Sequence, residues 1–210
     1  MSACPRCGAE RTTPLACEAC GVLFRPDDDA TPFEVFGLQP SWSLDRAALR
    51  KRLLGVTRLT HPDFFAGAQA DQRELAERNS AVANEAYETL TDDLARADWL
   101  VTWRGGPREG QLRDMPQAFL MEVLEWNEAL DEARASAPGS PERGRLDALR
   151  GELDAARGAA LARLAGHLEP LPDEGSEALA AARRELNALR YVRRALDQIE
   201  ALRLERAPRN

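Results

Sequence analysis

Four cysteines fall within the first twenty residues, Cys4, Cys7, Cys17 and Cys20, and the remainder of the 210-residue chain has none. Their spacing is C-x2-C-x9-C-x2-C, and a glycine follows each pair, Gly8 after Cys7 and Gly21 after Cys20. Two thiolates separated by two residues can hold one metal ion from a tight turn, and the glycine allows the positive φ that such a turn often needs. Two of these turns face to face supply four sulfur ligands in a tetrahedron, the geometry of a structural zinc site. Iron in a rubredoxin-like site is the main competitor, since sulfur ligands alone do not fix the metal. A pair of disulfides is a third reading. It fits poorly with an N-terminus that lacks the apolar stretch of a secretory signal, which points to a reduced, cytoplasmic chain. A segment this short cannot build a core, so metal binding would supply most of its folding energy. With all four positions filled by protein, the metal would be structural.

The rest of the chain reads as helical. Hydrophobic residues make up 44%, charged residues 30% and aromatics 6%, a balance that permits a core and favours helix packing over a β-sandwich. No apolar run reaches the roughly 20 residues of a membrane span. Arg25-Pro26-Asp27-Asp28-Asp29-Ala30 is a polar linker. Thr31-Pro32-Phe33-Glu34 is a capping box with proline in the first turn. A second helix is expected from Ser43 to the His61-Pro62-Asp63 stop, and a third from about Asp71 to Leu90 with Leu75, Val82, Ala86 and Leu90 as core positions. Asp92-Asp93 caps a fourth that ends at Gly105-Gly106. After a linker to Met115, three longer helices near 116–134, 141–168 and 175–205 are separated by proline-containing turns. Short connections imply antiparallel neighbours, hence a three-helix bundle. The expected organisation is a Cys4 knuckle over 1–25, a four-helix domain over 31–105 and a bundle over 116–207.

The formal net charge of -7 argues against a generic nucleic-acid binder, and it is unevenly spread. Residues 43–60 carry Arg46, Arg50, Lys51, Arg52 and Arg58 against Asp45 alone, a local balance of +4. A positive helix on an acidic protein suits a negatively charged partner surface, although an isolated helix of this kind is more often simply solvated. Context decides. Phe33-Glu34-Val35-Phe36-Gly37-Leu38, the basic helix, His61-Pro62-Asp63 with Phe65 behind it, and Asn84-Glu85-Ala86-Tyr87-Glu88-Thr89-Leu90 together resemble a J-domain. Arg96-Ala97-Asp98-Trp99-Leu100 and Phe119-Leu120-Met121-Glu122 resemble, more narrowly, the HscB-type co-chaperones of iron–sulfur cluster biogenesis. The knuckle is similar to the N-terminal extension of some members of that family. The resemblance implies that His61, Pro62 and Asp63, with Arg52 and Arg58 on the docking helix, contact an HscA/DnaK-type ATPase chaperone and trigger ATP hydrolysis there. Two positions depart from the family pattern: Thr60 stands where an aromatic is usual, and Phe64 where a basic residue is usual.

The helix over 116–134 has two apolar faces. At about 100° per residue, Phe119, Val123, Trp126 and Leu130 share one side and read as bundle core. Leu120, Met121 and Leu124 point elsewhere, with Glu125 and Glu128 on their face. Residues 116–132 hold five acids and no base, a balance of -5. An extra apolar strip edged by carboxylates fits a partner-binding surface, with Met121 as an adaptable contact. Burial of the strip under the preceding helical domain is an equally open reading of the pattern. The family resemblance places an IscU-type iron–sulfur scaffold protein here, with Tyr191 on the last helix as a further aromatic contact.

Catalysis is not expected. The two histidines are His61, in the motif, and His167, near a helix end. No glycine-rich phosphate loop precedes a helix, and no nucleophile pairs with a base. Two alternatives to a scaffold-delivering co-chaperone are a general J-domain chaperone that holds unfolded clients, and a zinc-knuckle nucleic-acid reader. The second is weakened by the acidic total and by a knuckle whose bases are Arg6 and Arg11 alone.

Overall fold

A computed structural model describes residues 3–112, 115–137 and 139–204. Residues 1–2 and 113–114, Pro138, and the expected end of the bundle at 205–207 lie outside the described residues. The chain divides into two compact units, 1–96 and 97–210.

The first unit begins with the knuckle and is otherwise helical. α1 (Pro32–Val35) starts on the expected capping box: Thr31 Oγ1 accepts from the Glu34 N–H at 3.1 Å, and Glu34 Oε2 accepts from the Thr31 N–H at 2.8 Å. α2 spans Arg46–Thr60. Its cap is Asp45, later than the Ser43 start expected from sequence, because Asp45 Oδ1 takes both the Ala47 and Ala48 N–H groups at 2.9 Å. Two charge-assisted bonds at a helix N-terminus outcompete an earlier start. Proline at position 62 forces His61 into extended backbone, φ -63° and ψ 127°, so α2 stops there and a single 3-10 turn, Pro62–Phe65, follows.

α3 (Ala70–Thr91) packs against both α1 and α2. Its buried stripe is Ala76, Asn79, Ala83, Ala86 and Leu90. Of the four expected core positions, Ala86 and Leu90 are buried, whereas Leu75 and Val82 are only half-buried. Alanine at 76 and 83 lets neighbouring chain approach α3 closely, and that rotates the stripe toward the small residues. α4 (Asp93–Trp103) is capped by Asp92, whose Oδ1 accepts from Leu94 and Ala95. Arg96 is buried in the first unit. Its guanidinium donates to the carbonyls of Trp42 and Leu90 and to Asp93, and lies 4.8 Å over the Trp42 ring. The division between the units falls inside α4, after Arg96.

The second unit holds the rest of α4, the linker and three long helices: α5 (Gln117–Ala135), α6 (Pro141–Leu168) and α7 (Glu177–Leu204). All three pairs pack together, which makes the expected three-helix bundle. Trp126, Leu130 and Ala133 of α5, Leu146, Leu149 and Leu153 of α6, and Val192, Ala195, Ile199 and Leu202 of α7 share one core, with Phe119 and Val123 against its edge. Arg143 is buried where the helix ends meet. It donates to the carbonyls of Ala133, Ser136 and Leu202, groups that helix ends leave without intrahelical partners. At the linker, a Cβ on Gly106 would lie 2.8 Å from Leu179 Cβ, Val101 Cγ1 and the Val101 carbonyl, so only glycine fits.

Candidate functional site

The knuckle is two copies of one turn. Cys4 N–H donates to the Ala9 carbonyl and Gly8 N–H to the Cys4 carbonyl, both at 2.8 Å. Cys17 to Val22 and Gly21 to Cys17 repeat the pattern at 2.9 and 2.8 Å. Gly8 and Gly21 take φ of 77° and 70°, the left-handed conformation that closes each turn. The bridges Ala3–Glu10 and Ala16–Leu23 lie across the two hairpins. All four Sγ atoms fall within 4.8 Å of one another. The Cys4–Cys20 pair is at 3.7 Å and the Cys7–Cys17 pair at 3.6 Å. A disulfide needs about 2.05 Å, and the thiols are free. Sulfurs about 2.3 Å from a central ion in a tetrahedron stand about 3.8 Å apart, so the separations fit a four-coordinate metal.

Crowding also sets the protonation of the thiols. Burial raises Cys4, but the N–H groups of Arg6 and Cys7 and the sulfurs of Cys17 and Cys7 outweigh it and bring Cys4 down to about 7. The Ala9 N–H lowers Cys7, yet burial and the sulfurs of Cys20, Cys17 and Cys4 push it up to about 12. Four thiolates cannot share this space without a cation. A metal-bound thiol is held deprotonated, so its stabilisation is present at neutral pH and is lost as the pH falls. Protein purified at neutral pH is expected to carry one metal ion per chain and to release it between about pH 7.5 and about pH 4.5. Elemental analysis after dialysis checks this. Metal retained in full at the acid end would show that the four cysteines are not the ligands.

The His61-Pro62-Asp63 turn projects from the far end of the basic helix. The side chains of His61 and Asp63 are 44% and 87% exposed. His61 Nδ1 accepts the Asp63 N–H at 3.3 Å, and its ring meets the edge of the exposed Phe64 at 6.1 Å. Phe64, which stands where the resemblance leads one to expect a basic residue, is 72% exposed. The two basic residues expected to dock differ in setting. Arg58 is exposed in the last turn of α2. Arg52 donates from Nη1 to the Phe36 carbonyl at 2.7 Å, so it also fastens the end of α1 to α2.

In the second unit, Leu120, Met121 and Leu124 are 46%, 53% and 50% exposed, and Glu125 and Glu128 beside them are exposed. The 3.6-residue period therefore separates the two apolar faces of α5 as expected. Tyr191 of α7 meets Phe119 edge-on at 5.9 Å, and Phe119 in turn meets Trp126 at 5.8 Å. Tyr191 thus stands next to the α5 strip on an aromatic chain that runs into the bundle core. Beside it opens a groove of about 280 Å³ lined by Leu112, Met115, Asn187 and Arg194.

Several polar residues that organise these surfaces gave no sequence signal. Asn79 is fully buried on α3 and donates to the knuckle carbonyls of Leu15 and Phe24. Arg183 is fully buried on α7, where it pairs with Asp98 and donates to the Pro107 carbonyl at 2.7 Å. Charged and amide side chains on helices read as solvated. Only the long-range partners they meet, carbonyls and the Asp98 carboxylate, explain their burial.

A helix pair closed on His-Pro-Asp, followed by a helical bundle, defines the architecture of a J-domain co-chaperone. The comparisons are specific. Residues 115–200 match the family described as the HSCB C-terminal oligomerisation domain. A co-chaperone protein HscB homolog of Pseudoalteromonas atlantica is 34% identical over 167 residues, 79% of this chain and 93% of that protein. Its counterpart in Ralstonia nicotianae is 37% identical over 174 residues, 82% and 94% of the two chains. The structure of chaperone HscB from Vibrio cholerae matches with a TM-score of 0.69 at 28% identity, covering 85% of this chain and 100% of that one. Human co-chaperone protein HscB shares the fold, with a TM-score of 0.77 at 24% identity over 97% and 99% of the two chains. The chain belongs to the HscB co-chaperone family. Membership makes it a co-chaperone rather than an enzyme.

Proposed function

We propose that the chain binds an IscU-type iron–sulfur scaffold protein through α5 and α7, delivers it to an HscA/DnaK-type ATPase chaperone, and stimulates that chaperone's ATP hydrolysis through His61, Pro62 and Asp63, with Arg52 and Arg58 docking. Zinc is the metal assigned to Cys4, Cys7, Cys17 and Cys20, and the cytoplasm the compartment. The observation that carries the reading is the pairing of two exposed surfaces of opposite character. The His-Pro-Asp turn sits at the end of a basic helix, and the strip of Leu120, Met121 and Leu124 sits among carboxylates with Tyr191 beside it. Each suits a different partner. Tethering both partners to one chain makes their encounter effectively intramolecular. No helix among the described residues is long and apolar enough to cross a membrane.

Steady-state ATPase of the chaperone, with this protein alone and with scaffold added, tests the proposal. Synergy of the two is expected, and a response to scaffold that is merely additive would sink it. Replacing Leu120 and Leu124 together with alanine is expected to weaken scaffold binding roughly tenfold, about 1.4 kcal/mol, as half-exposed apolar contacts at an interface would. Calorimetric titration reads this, while stimulation without scaffold stays at the wild-type level. Equal affinity for the scaffold and for a denatured control protein would favour the broader chaperone of unfolded clients.

A further inference from the structure

The knuckle and the His-Pro-Asp turn share a core. Leu59 lies two residues before His61, and Phe65 two residues after Asp63, so they bracket the turn. Both pack, with Leu75, against a small cluster whose buried members are Ala16 and Leu23 of the knuckle and Ala76 of α3. Ala16 and Leu23 are the bridging pair of the second knuckle hairpin, whose loop carries Cys17 and Cys20. Asn79 clamps that hairpin from below. Its Nδ2 donates to Leu15 at 2.9 Å and to Phe24 at 2.8 Å, the residues just outside the bridge, which are themselves joined by a 2.9 Å bond from Phe24 N–H to the Leu15 carbonyl.

Apart from these side chains and its packing on α3, the turn has little to hold it. None of Pro62–Phe65 is buried. Its local bonds are Phe64 N–H to the His61 carbonyl at 3.1 Å, Ala66 N–H to the Asp63 carbonyl at 3.4 Å, the 3.3 Å contact of Asp63 N–H with the His61 ring, and Ala68 N–H to the Phe65 carbonyl at 2.9 Å. A segment with few buried contacts and long, exposed hydrogen bonds opens easily unless something supports its ends. Here the supports at both ends rest on the knuckle and on α3, whose Asn79 is itself bonded to the knuckle. The six-residue hairpin loop inside the Ala16–Leu23 bridge has no core of its own, so its shape depends on the ion that Cys17 and Cys20 help to hold.

We infer that the metal-filled knuckle positions the His61-Pro62-Asp63 turn, so that metal occupancy sets how strongly this chain activates its ATPase chaperone. The inference rests on the reading of that turn as the chaperone trigger. Leu23 and Asn79 are positioning residues in this scheme. They act through Leu59, Phe65 and α3 and do not touch the partner.

The test compares zinc-loaded full-length protein, the same protein stripped with a chelator, and the variants Leu23→Ala and Asn79→Ser, each with its zinc content measured. Amide exchange across residues 59–66 is expected to speed up at least tenfold on stripping, and stimulation to fall at least threefold, with both restored by added zinc. Scaffold affinity stays unchanged, because the α5 strip lies in the other unit. Leu23→Ala, still holding zinc and full helical circular dichroism, moves exchange and stimulation in the same direction. That variant separates positioning from collapse of the unit should stripping also melt α2 and α3. Wild-type exchange at 59–66 in both stripped protein and Leu23→Ala overturns the inference, as does faster exchange with undiminished stimulation. His61→Gln serves as the control: if it leaves stimulation intact, the trigger reading has failed, and the exchange data still report whether the knuckle holds the turn.

Discussion

Replacing His61 with glutamine is expected to cut stimulation of the ATPase chaperone at least tenfold and leave scaffold affinity within twofold. His61 ends α2 and begins the 3-10 turn at once. Its ring nitrogen accepts the Asp63 N–H, and its ring packs on Phe64. Glutamine keeps a polar side chain of similar reach, so the turn and its proline survive and stability changes by no more than about 0.5 kcal/mol. What is lost is the imidazole itself, a flat group of fixed direction on a turn none of whose residues is buried. A tenfold loss corresponds to about 1.4 kcal/mol of transition-state stabilisation contributed to the partner's reaction. The strip on α5 belongs to the other unit, so scaffold binding tests the separation of roles. Retention of more than half the stimulation, or parallel loss of scaffold binding in a variant that remains folded, would remove the turn from the mechanism.

What the sequence makes legible here is local. Thr31 and Glu34 announce a capping box, Pro62 ends α2, Ser140-Pro141 starts α6, and the apolar steps of α7 at Leu179, Ala182, Leu186, Leu189, Val192 and Ile199 mark its buried side; the structure has each of these, while Leu196 of the same stripe is only partly buried. The cysteine spacing likewise contains its own geometry, because each C-x2-C-G closes within five residues. The strip of Leu120, Met121 and Leu124 is legible by elimination, since the period of α5 assigns the core to Phe119, Val123, Trp126 and Leu130. Other features depend on contacts between residues far apart in the chain. Asn79 is buried because it donates to two knuckle carbonyls some sixty residues earlier, and the stripe of α3 shifts to Ala76 and Ala83 accordingly. Arg96, Arg143 and Arg183 read as surface charge, yet each collects orphan carbonyls from loops or helix ends. Leu54 departs in the opposite sense: it is a large apolar residue on α2 and is 52% exposed. Periodicity finds a stripe, and only tertiary neighbours decide which polar residues join it.

Asp98→Asn is expected to be among the most destabilising single substitutions in the second unit, at about 3 kcal/mol, with its melting transition lowered by roughly 10 °C. Asp98, on α4, pairs with two arginines of α7: Arg183, and Arg190 at 3.1 Å. Arg183 is 0% exposed. Besides Asp98 it has the Pro107 carbonyl as a partner, and among the described residues its Nη2 is buried without one. Neutralising Asp98 leaves a guanidinium that can neither reach water nor shed its proton, which is the costly way to break a buried pair. Arg183→Met should cost less, about 1 to 2 kcal/mol, because it removes the buried charge and leaves Asp98, already about a third exposed, with Arg190 and solvent; its main penalty is the Pro107 carbonyl left without a donor. The order of the two variants is therefore the informative result. The lesion also bears on function, since the two arginines that Asp98 holds also meet the linker, Arg183 at the Pro107 carbonyl and Arg190 at Glu109. Arg104 Nε donates to the Pro172 carbonyl, and Asn187 to that of Leu112, and Tyr191 stands one turn further on. Calorimetric melting reads the stability and titration with scaffold the function. A melting point for Asp98→Asn within about 1 °C of wild type, or Arg183→Met melting lower than Asp98→Asn, would show that the buried arginine is not held by this carboxylate.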